Sequence, residues 1–201
     1  MDMRVSDEEL MIRCRNGDMS AFELLVSRYK DAMLNFVYRS IGDYHRAEDL
    51  AQETFLRVFK SASRYEPKAK FRNWLYRIAV NLCKNELRDR KRHGLSFLED
   101  CVTDDDGKIN YAVLRDFSQM PDVLYEKKEQ QLLIRQAIDS LPENQRLAII
   151  MVTYQHLKYD EIADTLGCSV SAVKSLIHRA RQNLKKLLME VGIGGSYNAK
   201  V

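Results

Sequence analysis

Apolar residues recur at three- and four-residue steps through much of this chain, and this spacing restricts its fold more than any other feature. Three stripes have it: Phe22, Leu25, Val26, Tyr29, Met33, Phe36 and Val37; Ala47, Leu50, Ala51, Phe55, Val58 and Phe59; and Phe71, Leu75, Ile78, Ala79 and Leu82. Each stripe is typical of a helix packed on one side. Eight glycines and three prolines in 201 residues are too few for the turns of a barrel or sandwich of short strands. We therefore predict an all-α fold, with a helix break at Tyr65-Glu66-Pro67.

The sign of the charge changes twice along the chain, although the net charge is only +3. Residues 60–92 carry eleven basic and three acidic side chains, whereas residues 94–126 carry two basic and eight acidic ones. Residues 170–189 carry five basic side chains and no acid. Because a structureless loop of about thirty residues is unusual inside one compact domain, we predict two small helical domains joined by an acidic flexible linker. The predicted bounds are 1–92, 93–125 for the linker and 126–191, with a flexible tail at 192–201.

The segment 159–178 has the spacing of a helix-turn-helix. Gly167 allows the positive φ of a tight turn, and Ser169 is placed to cap the second helix. The buried side of that helix is then Val173, Leu176 and Ile177. The outward side is Ser171, Ala172, Lys174, Ser175, His178 and Arg179. Cations and small hydroxyl groups without an acid favour contact with phosphates and base edges in a DNA major groove. The alternative is an ordinary helical hairpin with a solvated basic face.

The segment 65–92 interleaves aromatic and basic residues. Unpaired bases stack on aromatic or guanidinium planes while cations follow the phosphates, so this composition is typical of single-strand binding. The alternative for the aromatic residues is a place in the core, because Phe71 and Trp74 fall close to Leu75 on a helix. We expect those two aromatic side chains to lie in the core, and we predict that the basic side chains are the ones that contact a DNA strand.

Other classes of protein find little support. No run of about 18 apolar residues is present, and the start of the chain does not read as a signal peptide, so a cytoplasmic protein without a membrane span is expected. The four cysteines form no C-x-x-C pair. The four histidines are scattered, without an H-E-x-x-H motif, and no glycine-rich phosphate loop occurs. We therefore predict no metal, no cofactor, no small-molecule substrate and no enzymatic activity.

Four motifs span both predicted domains. They are AEDLAQETF at 47–55, FRNWLYRIAVN at 71–81, LPE at 141–143 and VKSLIHRAR at 173–181. In this combination and order the chain resembles the extracytoplasmic-function (ECF) sigma factors, which are bacterial RNA polymerase subunits. The acidic connection between the domains also matches the variable linker of that family.

The resemblance implies a subunit that binds core RNA polymerase, recognises the −35 and −10 promoter elements and promotes strand opening. It implies that Asp49, Leu50, Gln52 and Glu53 bind the clamp helices of the polymerase β′ subunit. It places the melted −10 strand on Tyr65, Lys70, Arg72, Asn73, Arg77, Asn81 and Arg88. The second domain would read the −35 duplex through the outward face of the helix-turn-helix and touch the β flap.

An anti-sigma factor is a further implied partner. Family members often have an arginine where this chain has Leu176, so the promoter sequence does not carry over. The charge pattern also raises the hypothesis that the linker acids fill the basic channel in the free protein. The alternative function is a helix-turn-helix regulator that acts without being a polymerase subunit, and the polar row from Asp49 to Glu53 argues against it.

Overall fold

The computed structural model describes residues 5–100 and 132–190, apart from the side chains of 93–100 and 190. The helices are α1 (Asp7–Arg15), α2 (Met19–Ile41), α3 (Tyr44–Ser61), α4 (Phe71–Asp100), α5 (described over 132–139), α6 (Glu143–Tyr154), α7 (Tyr159–Leu166) and α8 (Val170–Glu190). All regular structure in these two ranges is helical, which confirms the all-α prediction. Over the same ranges, no helix has both the length and the apolar character that crossing a membrane requires.

The helix boundaries follow local rules. Ser6, Asp18 and Asp43 each accept a hydrogen bond from a backbone N–H of the helix that follows them. Gly42 ends α2 at a φ of 85°, a conformation that suits glycine. The predicted break is confirmed, because a short 3-10 turn (Ala62–Arg64) and a loop at 65–70 separate α3 from α4.

Helix α4 is longer than the sequence pattern indicates. It continues to Asp100, past the domain end that we predict at residue 92, and so enters the segment assigned to the linker. The remainder of that linker and the tail at 192–201 lie outside the described residues. Helix α1 lies before the three apolar stripes from which the first domain was predicted, so those stripes did not indicate it.

The first domain packs α1, α2 and α3 around the start of α4. Phe36 of α2 meets the ring of Tyr76 edge-on at 5.2 Å, and both side chains are buried. A carboxylate oxygen of Glu8 in α1 accepts the backbone N–H of Phe71 at 2.7 Å. This bond satisfies a free N–H at the start of α4 and fixes the position of the adjoining loop at 65–70.

The second domain packs α6, α7 and α8 around its own buried side chains, which continue into the core of the first domain. These are Leu147, Ile150 and Met151 of α6, Ile162 of α7, and Val173, Ile177 and Ala180 of α8. Burial of these aliphatic side chains contributes about 1.5–3 kcal/mol for each large one. The packing holds the two helices of the helix-turn-helix in a fixed relation and leaves the opposite side of α8 facing outward.

The two domains contact one another, which the prediction of two tethered domains did not include. The guanidinium of Arg39 lies 3.9 Å from the ring centre of Tyr154. Arg135 donates a hydrogen bond to the carbonyl of Tyr38 at 2.7 Å. A second arginine of the later domain, Arg146, donates to a carbonyl of α2. These hydrogen bonds lie beside apolar packing, because the buried apolar side chains of the two domains form one continuous cluster.

Candidate nucleic-acid interfaces

The helix-turn-helix has the predicted local geometry. Gly167 adopts a φ of 67°, and its N–H bonds to the carbonyl of Ala163 at the end of α7. The hydroxyl of Ser169 accepts the N–H of Ala172 at 3.2 Å and so caps α8. The predictions for the turn glycine and the capping serine are confirmed.

The outward face of α8 is open to solvent. Ser171, Lys174, Ser175, His178 and Arg179 are exposed and Ala172 is half-buried, whereas Val173 and Ile177 are buried. Leu176 packs partly against the core. Among the ion pairs of the described residues, none involves Lys174 or Arg179. The face therefore offers two available cations beside small polar groups.

Replacing Ser169 with alanine is expected to destabilise the chain by about 1 kcal/mol, because the N–H of Ala172 loses its acceptor. Urea denaturation of the full chain followed by circular dichroism measures the change. Ser175→Ala on the same helix is the matched control, since Ser175 is exposed and alanine suits a helix. Equal effects of the two substitutions would contradict a capping role for Ser169.

A cleft opens between the loop at 65–70 and the start of α4. It has a volume of about 660 Å³, and its lining includes Tyr65, Asn73, Trp74 and Arg77, with Asp164 of α7 at its edge. We call it the loop cleft. The rings of Tyr65 and Trp74 lie 5.2 Å apart and form an aromatic wall of the cleft, and Phe71 packs behind both. Phe71 is fully buried and Trp74 partly buried, as the core alternative predicts.

Two buried polar atoms beside the loop cleft have no hydrogen-bond partner among the described residues. They are the hydroxyl of Tyr65 and the side-chain oxygen of Asn73, in residues that are only 6% and 4% exposed. Burial, together with the nearby carboxylates of Glu8 and Asp7, raises the pKa of Tyr65 to about 12, so its hydroxyl is a donor at neutral pH. Unsatisfied buried groups are costly, and they suit a ligand that offers its own donors and acceptors.

The basic residues at the start of α4 are engaged by the second domain. Lys70 pairs with Glu161 at 2.7 Å, and Asn73 donates to the carboxylate of Asp164 at 3.3 Å. Arg72 and Arg77 donate to backbone carbonyls of the second domain, at Gln155 and Asp164 respectively. The sequence pattern predicts these four residues as contacts of a DNA strand and gives no sign of these partners.

Glu161 is the centre of this contact. Burial alone raises the pKa of Glu161, but hydrogen bonds from Lys70 and from the N–H of Lys158 outweigh it and leave the pKa below its usual value. The same ion pair raises the pKa of Lys70. Both groups are therefore charged at neutral pH, and the contact is a partly buried ion pair.

Asn81 and Arg88 lie further along α4. Both are exposed, and neither takes part in a hydrogen bond or ion pair within the described residues. They are therefore accessible to a strand that follows α4 beyond the loop cleft. Of the other residues predicted to contact the −10 strand, Tyr65, Asn73 and Arg77 line the loop cleft, and Lys70 and Arg72 adjoin it in sequence.

Helix α3 carries a second accessible surface. Asp49 and Gln52 are exposed and Glu53 is half-buried, whereas Leu50 is in the core. Leu50 therefore anchors α3 in the core and is not part of the accessible surface. A hydrogen bond from Arg57 lowers the pKa of Glu53, which keeps its carboxylate charged.

An apolar groove that the sequence pattern does not predict lies next to this polar row. Its lining is Met19, Phe22, Phe55, Leu56 and Phe59, and its volume is about 250 Å³. The stripe pattern assigned Phe59 to the buried side of α3, but 40% of it is exposed. Leu56 is one helical turn after Gln52 and is 44% exposed. Polar row and apolar groove are thus continuous, and we call them together the α3 surface.

Two family models match this chain: sigma-70 region 2 over residues 25–93 and sigma-70 region 4 over residues 131–184. The chain is 33% identical over 184 residues to the RNA polymerase sigma-H factor of Pseudomonas aeruginosa, covering 90% of this chain and 93% of that protein. It is 34% identical over 188 residues to the ECF sigma factor SigW of Bacillus subtilis, covering 91% of this chain and all of that protein. This chain belongs to the ECF sigma factors.

An ECF sigma factor acts as a subunit of RNA polymerase in promoter-specific initiation, so a regulator that works without polymerase is not favoured. The fold is similar to that of CnrH solved with the cytosolic domain of CnrY, at a TM-score of 0.66 and 24% identity over 92% of this chain and 99% of that one. It is also similar to that of RpoE of Bartonella quintana solved with the anti-sigma factor NepR. The TM-score is 0.62 and the sequence identity is 24%, and the match covers 84% of this chain and 96% of that one.

The family regions coincide with the surfaces described above. Region 2 of this sigma factor contains the α3 part of the α3 surface and most of the loop cleft, and region 4 contains the helix-turn-helix. Within residues 5–100 and 132–190, no three histidine, cysteine or acidic side chains gather as metal ligands would.

Proposed function

We propose that this sigma factor divides its work among three surfaces. The exposed face of α8 reads the −35 element as duplex DNA, the loop cleft and α4 hold the melted −10 strand, and the α3 surface binds the β′ clamp helices. The observation that carries the proposal is the loop cleft, where unused polar atoms of Tyr65 and Asn73 meet a row of basic residues.

The −35 assignment rests on charge and shape. Helix α8 presents Ser171, Ala172, Lys174, Ser175, His178 and Arg179 on one side and buries the other. A helix of this kind fits the major groove, where lysine and arginine contact guanine and phosphates, and hydroxyl groups contact several bases. The same domain would touch the β flap, as the family resemblance implies.

The −10 assignment rests on the loop cleft. Extruding a base from a duplex costs a few kcal/mol, and a shaped pocket with hydrogen-bonding groups offsets that cost. Tyr65 supplies a hydroxyl and Asn73 an amide oxygen, while Trp74 supplies part of an aromatic wall. Lys70, Arg72 and Arg77 neutralise phosphates near the cleft, and Asn81 and Arg88 extend the path along α4.

Arg88→Ala tests this path. Loss of one phosphate contact is expected to reduce the slope of log affinity against log salt by about 0.7 for single-stranded DNA. Fluorescence anisotropy with the non-template strand of a promoter selected by the holoenzyme measures the slope. Lys30→Ala, an exposed cation of α2, is the matched control and is expected to leave the slope unchanged. An unchanged slope in Arg88→Ala would contradict a strand path along α4.

The polymerase assignment combines two kinds of contact. Asp49, Gln52 and Glu53 offer charges and hydrogen bonds that fix orientation, and the apolar groove beside them offers buried area. Exposed apolar patches bounded by polar residues are typical of protein interfaces. The occupant that we propose is the pair of β′ clamp helices.

Membership of this family also leads us to expectations about the location, activity and regulation of the protein. We expect a cytoplasmic, non-catalytic subunit that needs no cofactor and is held inactive by an anti-sigma factor. The expectation of that partner is supported by the solved relative from Bartonella quintana, which was captured with the anti-sigma factor NepR.

A further inference from the structure

Helix α1 contacts both ends of the loop at 65–70, which forms one side of the loop cleft. At the first end, the guanidinium of Arg15 donates a hydrogen bond to the carbonyl of Tyr65 at 3.2 Å. At the second end, the carboxylate of Glu8 accepts the backbone N–H of Phe71 at 2.7 Å. Glu8 and Arg15 are about two helical turns apart, so their side chains leave the same side of α1. We call these two contacts the α1 brace.

Helix α1 is itself firmly seated on the first domain. Leu10 and Met11 are fully buried in the core. The carboxylate of Asp7, the first residue of the helix, accepts hydrogen bonds from Arg28 and Tyr29 of α2. A helix held along its apolar face and at its first residue is a rigid support for the side chains that it presents.

The middle of the loop has no comparable support. Residues 66–70 are all exposed, and among the described hydrogen bonds none joins their backbone to a side chain of another helix. The two ends, in contrast, adjoin the unpartnered polar atoms of the loop cleft. Tyr65 carries one of these atoms, and Asn73, two residues after Phe71, carries the other. The α1 brace therefore holds the backbone beside both atoms.

We propose that Glu8 and Arg15 are positioning residues for recognition of the −10 base. They hold the hydroxyl of Tyr65 and the side-chain oxygen of Asn73 at the separation that a bound base requires. The inference rests on the −10 role proposed above for the loop cleft. Recognition by hydrogen bonds needs groups held to within about 0.5 Å, which an exposed loop does not provide without support. Glu8 and Arg15 precede residues 25–93, so the region 2 match does not assign them.

The test uses Glu8→Ala in the full chain, assembled with core RNA polymerase. The probe is a fork-junction DNA from a promoter selected by the wild-type holoenzyme, with a duplex −35 element and a single-stranded −10 non-template strand. Affinity for the selected strand, divided by affinity for a strand with one −10 base replaced, measures base discrimination. Glu8→Ala is expected to lower this ratio about tenfold, because the N–H of Phe71 loses a charged acceptor. Affinity for the −35 duplex alone is expected to change less than about twofold.

Two further variants make the test specific. Glu8→Gln keeps an oxygen that accepts the N–H of Phe71, so it is expected to restore the discrimination. Glu9→Ala is the matched control, because it removes the same charge from an exposed side chain of α1 that takes part in no described hydrogen bond or ion pair. Equal losses in Glu8→Ala and Glu9→Ala, or a Glu8→Gln variant as impaired as Glu8→Ala, would overturn the proposal.

Trp74 reports the α1 brace without DNA. It is the only tryptophan of the chain, and its ring lies 5.2 Å from that of Tyr65. A displaced loop leaves this ring more open to water. The fluorescence emission of free Glu8→Ala protein is therefore expected at longer wavelength than that of Glu8→Gln and Glu9→Ala. Identical emission in all three variants would overturn the proposal, whatever the DNA measurements give.

Asn73→Ala separates this inference from the −10 assignment, because it removes a polar atom of the loop cleft directly. Loss of base discrimination in Asn73→Ala, together with unchanged discrimination in Glu8→Ala, would uphold the −10 role of the cleft and overturn the α1 brace. Unchanged discrimination in Asn73→Ala would contradict the −10 role itself, and the inference that rests on it would fall with it. Loss in both variants is the result that we expect.

Discussion

Replacing Lys174 and Arg179 with alanine is expected to lower the affinity of the full chain for its −35 duplex by about 100-fold, because each good base or phosphate contact in the major groove is worth about 1–3 kcal/mol. Both side chains stand exposed on α8. Their loss leaves the buried face of Val173 and Ile177 intact, so the fold is retained. Equilibrium binding at a fixed salt concentration measures the effect.

The matched control for this variant is Lys185→Ala with Lys186→Ala. These lysines are exposed on the same helix and their replacement removes the same charge, but they lie about two turns beyond Arg179, the last residue of the recognition face. We expect a modest loss that is alike for all DNA sequences. A loss in the control equal to that of Lys174 and Arg179 would mean that α8 attracts DNA by charge alone, against the −35 assignment.

Leu56→Asp is expected to weaken binding to core RNA polymerase by about tenfold or more, because it places a carboxylate in the apolar groove of the α3 surface where a partner would have to desolvate it. Since Leu56 is already 44% exposed, the first domain keeps its fold. Titration of labelled full-length protein with purified core polymerase measures the change.

Leu132→Asp is the matched control. Leu132 lies at the start of the described part of α5 and is 45% exposed, so the same substitution introduces the same charge at nearly the same exposure in the other domain. Wild-type polymerase affinity in Leu56→Asp, or equal losses in both variants, would contradict the assignment of the α3 surface to the clamp helices.

Local features of the fold were predictable from the sequence because short-range rules set them. The stripe from Phe22 to Val37 lies within α2, and the glycine and serine of the helix-turn-helix have the backbone and capping roles assigned to them. Each of these depends on neighbours within a few residues. The extent of α4 was missed, because the periodicity fades before the helix ends.

Long-range features were not predictable, because they depend on how distant segments pack. Lys70 and Glu161 are 91 positions apart, and nothing in either local sequence indicates that they meet. The exposure of Leu56 and Phe59 likewise follows from the way α2 and α3 pack, which the stripe pattern does not report. Charge identified Lys70 and Arg72 as candidate strand contacts, but it could not reveal that α7 and its preceding loop engage them in the free protein.

Run-off transcription with core RNA polymerase, on DNA selected by the purified protein, tests the central claim most directly. The account predicts a promoter-specific transcript that requires this sigma factor and is lost both with Lys174→Ala and Arg179→Ala and with Asp49→Ala and Gln52→Ala. DNA binding that polymerase does not affect, with no transcript from the wild-type protein, would contradict it.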